Sequence, residues 1–197
     1  MISHKYKCIF VHIPKTAGTS IENVLRDKRV PLEGGSTHFG LLYYKKRFPE
    51  KYKKYLKFSI IRNPWARLVS GFFYFKKGGN GGLQDRQKGK LFGSDFKSFV
   101  RNINTFNKIE NPHFLLPQWK YIYIDGSLEI DYLLRFENIK KDYNSLRQKL
   151  GLPLKNLYKT RQTPHKHYTE HYDDETRQIV AEKYAKDIEY FNYEFGE

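Results

Sequence analysis

Residues 14–20 combine one lysine, three hydroxyl side chains and two small residues, directly after a β-branched and aromatic run at 9–13. That run indicates a short buried strand, and Pro14 is placed to end it. Ala17 and Gly18 would allow the backbone to approach a ligand closely, and the hydroxyls lie where a helix would begin. Backbone N–H groups and the helix dipole would then point at one spot beside Lys15. We expect this loop to bind a phosphate or a sulfate group.

A second segment, residues 62–70, has the same strand-to-helix context. It follows an apolar run, and Asn63 and Pro64 are typical of a helix cap and a first helical position. Arg62 would lie at the carboxyl end of the strand, which is the side on which open α/β sheets bind ligands. Its fork of N–H donors suits a phosphate, and Ser70 lies further along the predicted helix. The segment therefore predicts a second anion contact.

The order of residues in the first loop separates it from the Walker A loop of ATP-binding proteins. In Walker A the lysine follows a glycine and precedes Ser or Thr, whereas here Lys15 comes first and Gly18 follows. Residues 12–20 resemble the 5′-phosphosulfate loop of sulfotransferases that use 3′-phosphoadenosine 5′-phosphosulfate (PAPS), most closely that of the carbohydrate (family 2) branch. Residues 62–70 resemble the 3′-phosphate-binding element of the same family. The resemblance covers nearly the whole chain.

This resemblance implies an enzyme of the EC 2.8.2 type, which moves a sulfuryl group from PAPS to a hydroxyl and leaves adenosine 3′,5′-bisphosphate (PAP). The acceptor would be a carbohydrate or another hydroxyl compound, and an anionic acceptor is compatible with it. The reaction would be one in-line displacement, without a covalent enzyme intermediate. A basic loop at 155–171 folds over the nucleotide in relatives. The residues that the resemblance assigns to the cofactor are Lys15, Thr16, Ala17, Gly18, Thr19, Ser20, Arg62, Ser70, Lys159 and Arg161.

The base that takes the acceptor proton has four candidates, which are His38, His113, His12 and Glu137. An unperturbed histidine titrates near neutrality, at about 6.5, whereas a carboxylate would need a large upward shift of its pKa. The position of His12 within the first strand favours a packed side chain. In several family 2 enzymes the histidine between the two cofactor motifs is the base, so the resemblance favours His38, with Lys15 as the second catalytic residue. His113 and Gln118 would lie near the acceptor or brace the site.

The formal net charge of +15 indicates a polyanionic partner, which could be nucleic acid, an anionic membrane, a nucleotide or an acidic polysaccharide. The aromatic content of 17% argues for a packed fold with aromatic platforms for sugar or base rings. Cys8 is the single cysteine, which excludes an intrachain disulfide and predicts a buried, inert thiol. The sequence has neither a leader pattern nor a membrane-spanning apolar run. The animal relatives are usually anchored Golgi enzymes, whereas we expect here a soluble, cytoplasmic, bacterial protein without a membrane anchor.

Strands alternate with helices along the chain, which predicts a P-loop-like, three-layer α/β sandwich with a mainly parallel sheet between helices. A length of 197 residues predicts one domain. Residues 76–93 are glycine-rich, basic and without periodicity, so we expect there a lid, a disordered loop or an unimportant insertion. The predicted helices are 19–26, 41–48 (closed by Pro49), one starting at Asn63, 95–103, 139–150 and 173–190. The predicted strands beyond 9–13 are 57–61, 121–125 and 132–136.

Two other functions fit parts of the pattern. A P-loop kinase would share the sheet, and residues 121–125 resemble a Walker B strand, although Asp125-Gly126 is better explained as a turn. A nucleic-acid-binding module would explain the charge, but no signature of one occurs and it leaves Lys15 and Arg62 unexplained, so we expect no nucleic-acid partner. The histidines of the basic loop lack cysteine partners and a His-x-x-x-His spacing with Glu, so no metal site is predicted.

Overall fold

The computed structural model describes residues 1–26, 38–108, 113–153 and 166–197. Its helices and strands are, in chain order, β1 (Ile2–Ser3), β2 (Cys8–Val11), α1 (Gly18–Leu25), α2 (Leu41–Arg47), α3 (Pro49–Lys54), β3 (Leu56–Ile61), α4 (Pro64–Lys76), α5 (Leu83–Leu91), α6 (Phe96–Arg101), α7 (Trp119–Ile122), β4 (Tyr123–Ile124), β5 (Ser127–Leu128), β6 (Tyr132–Arg135), α8 (Ile139–Leu150), α9 (Asp174–Lys183) and α10 (Ala185–Phe191).

Contacts within the chain group these elements into two compact units, each built from two stretches of sequence. The first unit takes in Met1–Arg62 and Gln118–Thr160, and the second takes in Asn63–Pro117 and Arg161–Glu197. The expectation of a single domain over 1–197 stays a prediction.

The first unit contains a four-stranded sheet with the strand order β1-β2-β3-β6. β2 pairs in parallel with β3, and β3 in parallel with β6, while β1 runs antiparallel to β2. The register places Phe10 beside Phe58 and Ile60 beside Leu134. The predicted α/β class, with a mainly parallel sheet flanked by helices, is confirmed.

All four residues of β2 and the last four of β3 are buried, so both faces of the sheet are covered there and β2 is apolar without alternation. On one face Phe10, Phe58 and Ile60 pack against α1 and α8 through Ile21, Leu25, Tyr143 and Leu146. Cys8 lies in the same cluster, and burial raises the pKa of its thiol to about 12. The thiol is therefore protonated and unreactive near neutral pH, as the sequence predicts.

The second unit is helical and has an aromatic core. Helix α4 begins as predicted, because the Asn63 side chain accepts hydrogen bonds from the backbone N–H groups of Trp65 (3.1 Å) and Ala66 (3.3 Å). Many aromatic rings of the chain lie in this core, including Phe72, Phe92, Phe96, Phe99, Phe106 and Phe114. Most of them are thus packing residues rather than ligand platforms.

The expectation of an irregular segment at 76–93 is wrong for Leu83–Leu91, which form α5. Gly89 packs against α4 so closely that a Cβ atom there would lie 2.2 Å from the Phe75 carbonyl oxygen. Because this stretch carries few apolar residues, its helix depends on tertiary packing that periodicity does not reveal. Whether the segment acts as a lid stays a prediction.

Two predicted helix ends also differ from the structure. Helix α2 ends at Arg47 because the backbone of Phe48 leaves the helical region (φ −136°, ψ 57°). Pro49 then begins α3, since proline suits the first position of a helix. The last predicted helix is divided into α9 and α10 at Tyr184, whose backbone also departs from helical values (φ −112°, ψ 24°).

The predicted strand at 121–125 is wrong in its first half, since Tyr121 and Ile122 end α7. Tyr123–Ile124 form β4, which pairs antiparallel with β5 in a separate two-stranded sheet. Asp125 (φ 50°) and Gly126 (φ 80°) make the tight turn between them, as a two-residue hairpin requires. Asp125 therefore lies in a hairpin turn and does not end a parallel strand, so it is not a Walker B aspartate.

Candidate active site

The loop after β2 has a backbone that concentrates N–H groups. Lys15 (φ 70°) and Ala17 (φ 68°) both adopt positive φ values, which non-glycine residues rarely do and which cluster at functional sites. Thr16 between them is fully buried, and its hydroxyl donates to the Ile13 carbonyl at 2.8 Å. Any contact that Thr16 makes with a ligand would therefore come from its backbone N–H. Alternating conformations of this kind form concave anion-binding nests.

Helix α1 starts at this loop and leaves its N-terminus open. Ala17 is its N-cap residue and has no side chain that could cap the first turn, and no acidic residue lies in that turn. The first N–H groups of an α-helix have no partner within the helix, and the dipole adds partial positive charge. Thr19 is half-buried and Ser20 is buried within this first turn. The arrangement fits the sulfate and phosphate groups of PAPS, which the sequence assigns to this loop.

Gly18 has a steric reason in the structure, while its predicted role in the close approach to a ligand stays a prediction. Its φ angle is not positive, but a Cβ atom at this position would lie 2.0 Å from Cδ2 of His12. The imidazole of His12 occupies that space and also stacks on Phe10, with ring centroids 5.7 Å apart. Gly18 therefore makes room for the ring of His12 beside the loop.

His12 is held by a carboxylate that the sequence analysis did not single out. Its Nδ1 donates to Oε1 of Glu22 on α1 at 2.8 Å, and both side chains are largely buried. Burial by itself would raise the pKa of Glu22, but the hydrogen bond and charge of His12, with smaller effects of the N-terminal ammonium and His38, lower it overall. Glu22 is therefore an anion that fixes the orientation of the His12 ring.

His38, the residue favoured as the base, lies next to His12 in the first unit. Its Nδ1 is 3.1 Å from the His12 carbonyl oxygen, and the two imidazole rings meet edge to face at 4.4 Å. A carbonyl only accepts, so Nδ1 of His38 carries the proton and Nε2 is the basic nitrogen of the neutral ring. The structure thus brings His38 to the strand end that leads into the Lys15 loop.

Arg62 lies at the end of β3 and reaches the same loop. Its Nη1 donates to the Lys15 carbonyl at 3.2 Å, and its guanidinium lies 4.1 Å from the centre of the Phe136 ring. The fully buried amide of Gln118 clamps the Arg62 backbone, since Oε1 accepts from its N–H (2.9 Å) and Nε2 donates to its carbonyl (2.8 Å). Of the two roles considered for Gln118, the bracing role agrees with this geometry.

The remaining predicted site residues lie elsewhere. Ser70 is half-buried on α4 and His113 is exposed in a 3₁₀ turn, both in the second unit, whereas Arg62 and His38 belong to the first. A shared contact of Arg62 and Ser70 with one phosphate therefore stays a prediction. Lys159 and Arg161 lie outside the described residues. Within the described ranges no group of three or more His, Cys, Asp or Glu side chains could hold a metal ion.

The sequence profile of the sulfotransferase family matches residues 1–194 of the chain. The chain belongs to the sulfotransferase family. These are enzymes of the EC 2.8.2 type, and this membership, together with the position of Asp125, decides against the kinase interpretation.

Two curated relatives of this sulfotransferase show how far the similarity extends. Carbohydrate sulfotransferase 14 of Danio rerio is 23% identical over 216 residues, which cover 95% of this chain and 58% of that protein. An uncharacterised protein of Archaeoglobus fulgidus is 29% identical over 99 residues, which cover 50% of this chain and 70% of that protein. No solved structure matches the sulfotransferase at the same level of significance. Across the described part of the chain, every helix is too short or too polar to cross a bilayer.

Proposed function

We propose that this sulfotransferase transfers the sulfuryl group of PAPS to a hydroxyl of a carbohydrate acceptor. The observation that carries the proposal is the His38–His12 hydrogen bond, which joins a histidine of defined tautomer to the strand that leads into an open helix N-terminus. A base and an anion-binding loop are the two parts that such a transfer needs. The name of the zebrafish relative, a carbohydrate sulfotransferase, supports a sugar as the acceptor.

In the proposed reaction PAPS supplies the sulfuryl group and a phosphate leaving group. Nε2 of His38 takes the proton of the acceptor hydroxyl as its oxygen bonds to sulfur and the bond from sulfur to the phosphate oxygen breaks. The ammonium of Lys15 and the N–H groups at the start of α1 stabilise the negative charge that develops on the leaving oxygen and the sulfuryl oxygens. The remaining cofactor contacts are proposed for the residues assigned from the sequence, with Arg62 and Ser70 on the 3′-phosphate.

Calorimetric titration with PAP, in the presence and absence of Mg²⁺, tests the cofactor part of this proposal. We expect micromolar binding that does not depend on Mg²⁺, because cationic side chains and backbone N–H groups replace a metal. Adenosine 5′-monophosphate (AMP) serves as the control ligand and should bind more weakly, since it lacks the 3′-phosphate. Binding that requires Mg²⁺ or that prefers ATP over PAP would contradict the proposal.

A further inference from the structure

An exposed stripe of side chains begins one residue after His38. It consists of Phe39, Leu42, Tyr43, Lys46 and Arg47, and we call it the α2 stripe. Spacings of three and four residues place Leu42, Tyr43, Lys46 and Arg47 on one side of α2. Phe39 lies before the N-cap residue Gly40, outside the helix, and joins the stripe through its contact with the half-buried Tyr43. Phe39 is 37% exposed and Leu42 is 47% exposed, which is unusual for such side chains. The rings of Phe39 and Tyr43 stack with centroids 3.9 Å apart and planes inclined by 14°.

The α2 stripe is presented by a fixed helix. The opposite side of α2 is anchored in the first unit, because Leu41 and Tyr44 are completely buried. The stripe ends in two exposed cations, Lys46 and Arg47, for which the described residues supply no carboxylate partner, whereas the neighbouring Lys45 pairs with Glu129 at 3.3 Å. Four residues of helix correspond to a rise of about 6 Å, so the cations lie about one turn beyond Tyr43.

We propose that the α2 stripe binds an anionic oligosaccharide, and that this oligosaccharide is the acceptor. The inference rests on the proposed function. A sugar ring stacks by its C–H face on an aromatic ring, and a carboxylate or sulfate on the next sugar is attracted to Lys46 and Arg47. Because Phe39 directly follows His38, their Cα atoms are about 3.8 Å apart, so a sugar on the aromatic end of the stripe lies in the neighbourhood of the base.

The geometry favours a saccharide over the other polyanions. An interfacial membrane helix needs a broad apolar face, whereas α2 has seven residues and its most apolar side is already buried. A single-stranded nucleic acid needs successive stacking platforms along a basic groove. Here the exposed aromatic surface is one stacked pair, which matches one sugar ring.

Fluorescence anisotropy with labelled hexasaccharides tests which class of ligand the α2 stripe binds. The acidic probes are unsulfated hyaluronan and oligogalacturonate hexasaccharides, the neutral probe is chitohexaose, and oligothymidylate represents nucleic acid. With PAP present, we expect at least one acidic probe to bind about ten times more tightly than chitohexaose and to weaken as salt is added. Equal binding of acidic and neutral sugars, tighter binding of oligothymidylate, or no sugar binding at millimolar concentration would each overturn the proposal.

Matched variants locate the binding on the stripe. Phe39→Leu removes the ring but keeps apolar bulk, and should weaken the acidic probe about five- to tenfold, whereas Phe39→Tyr should retain its affinity. Lys46→Glu should weaken the probe about tenfold. Lys53→Glu makes the same charge change at an exposed position of α3, off the stripe, and should alter affinity less than threefold. Equal effects of Lys46→Glu and Lys53→Glu would show a general attraction by net charge and overturn the assignment.

The affinity for PAP, measured on the same variants, separates this inference from the proposed function. No residue of the α2 stripe belongs to the cofactor loop, so PAP should bind each variant as it binds the parent protein. If PAP binds normally but neither Phe39→Leu nor Lys46→Glu changes the affinity for the probes, only the assignment of the acceptor site to the α2 stripe is overturned. If the parent protein itself does not bind PAP, the proposed function is overturned as well.

Discussion

His38 is oriented by a backbone carbonyl, that of His12. The His12 carbonyl fixes the tautomer without placing a negative charge on Nδ1, while the carboxylate of Glu22 is engaged by the other histidine. The two imidazoles therefore have separate tasks in our interpretation. His12 fills the space over Gly18 and supports the loop, and His38 is left with the tautomer that a base requires.

We predict that His38→Ala lowers turnover by about two to four orders of magnitude and changes PAP affinity no more than a few-fold. The substitution removes the proton acceptor but none of the residues assigned to the cofactor. Steady-state kinetics with labelled donor and titration with PAP measure the two effects. The acidic limb of the pH–rate profile, where a protonated histidine cannot act as a base, should disappear as well. His4→Ala, at a histidine outside the four candidates, is the control and should leave turnover nearly unchanged, whereas near-normal turnover of His38→Ala would transfer the role to His113 or Glu137.

Arg62 offers a second test at the scale of one residue. Removal of a buried, charge-assisted contact typically costs about 2 to 5 kcal/mol, so Arg62→Ala should weaken PAP by well over tenfold and AMP far less. Calorimetry with both nucleotides measures this difference. Because Nη1 also bonds to the Lys15 carbonyl, equal losses for PAP and AMP would show that Arg62 acts through the loop and not on the 3′-phosphate. Arg101→Ala, at an exposed ion pair in the second unit, should leave both affinities unchanged.

At the scale of elements, the local sequence predicts a helix end correctly where the residues at that end form the cap themselves. The helix predicted at 139–150 is α8, and it ends as expected because Gly151 adopts a left-handed conformation (φ 64°). Asn63 likewise caps α4. Helix α5 was missed because it depends on the contact of Gly89 with Phe75, which no local pattern encodes.

The candidate site likewise has features that local sequence patterns predict and contacts that they do not predict. The loop, its helix and the position of Arg62 at a strand end follow from short-range patterns around residues 9–20 and 57–64. The His12–Glu22 contact joins two side chains that are 10 residues apart, and the Gln118 side chain bonds to the Arg62 backbone 56 residues away. No spacing rule for one helix or one strand connects such pairs, so only the fold reveals them.

The Lys15 loop and α1 share one steric constraint, which gives a prediction at the scale of elements. Gly18→Ala places a methyl group where the His12 ring lies, so we expect a loss of about 1 to 3 kcal/mol in the free energy of unfolding, and weaker PAP binding. Urea titration and calorimetry measure the two effects. Gly82→Ala is the control, because a Cβ atom there meets nothing within 4 Å.

A double-mutant cycle sharpens this test. In a His12→Ala background the methyl group has room, so Gly18→Ala should cost less there than in the parent protein. The same cost in both backgrounds would show that the collision with His12 is not the reason for a glycine at this position.

At the scale of the whole molecule, the net charge of +15 is unevenly distributed along the chain. Six of the ten residues at 45–54 are Lys or Arg and one is Glu, so the stretch around α2 and α3 accounts for a third of the net charge. Composition predicted a polyanionic partner but could not separate a nucleotide from a polysaccharide. The structure makes the distinction possible, because the Lys15 loop and the α2 stripe are different groups of residues that can be tested separately.

The free energy of unfolding should depend on pH through the ionisation of Glu22. Its pKa is lower in the folded protein than its ordinary value of 4.5, so folding favours the ionised carboxylate. This stabilisation is fully present when the pH is above the pKa of Glu22 in the unfolded chain. It is lost as the pH falls through the lower pKa of Glu22 in the folded protein. Glu22→Gln keeps an oxygen that accepts from His12 but removes the charge, and should cost about 1 kcal/mol at pH 6 to 7.

The difference between Glu22→Gln and the parent protein should therefore shrink as the pH is lowered from 5 toward 3, when the parent carboxylate becomes protonated. Urea titrations at several pH values measure it. Glu50→Gln, which removes a carboxylate from an exposed ion pair with Lys54, should change the free energy of unfolding by less than about 0.5 kcal/mol at neutral pH. A Glu22→Gln deficit that is constant from pH 7 to pH 3 would mean that lost packing, and not the charge on Glu22, is responsible.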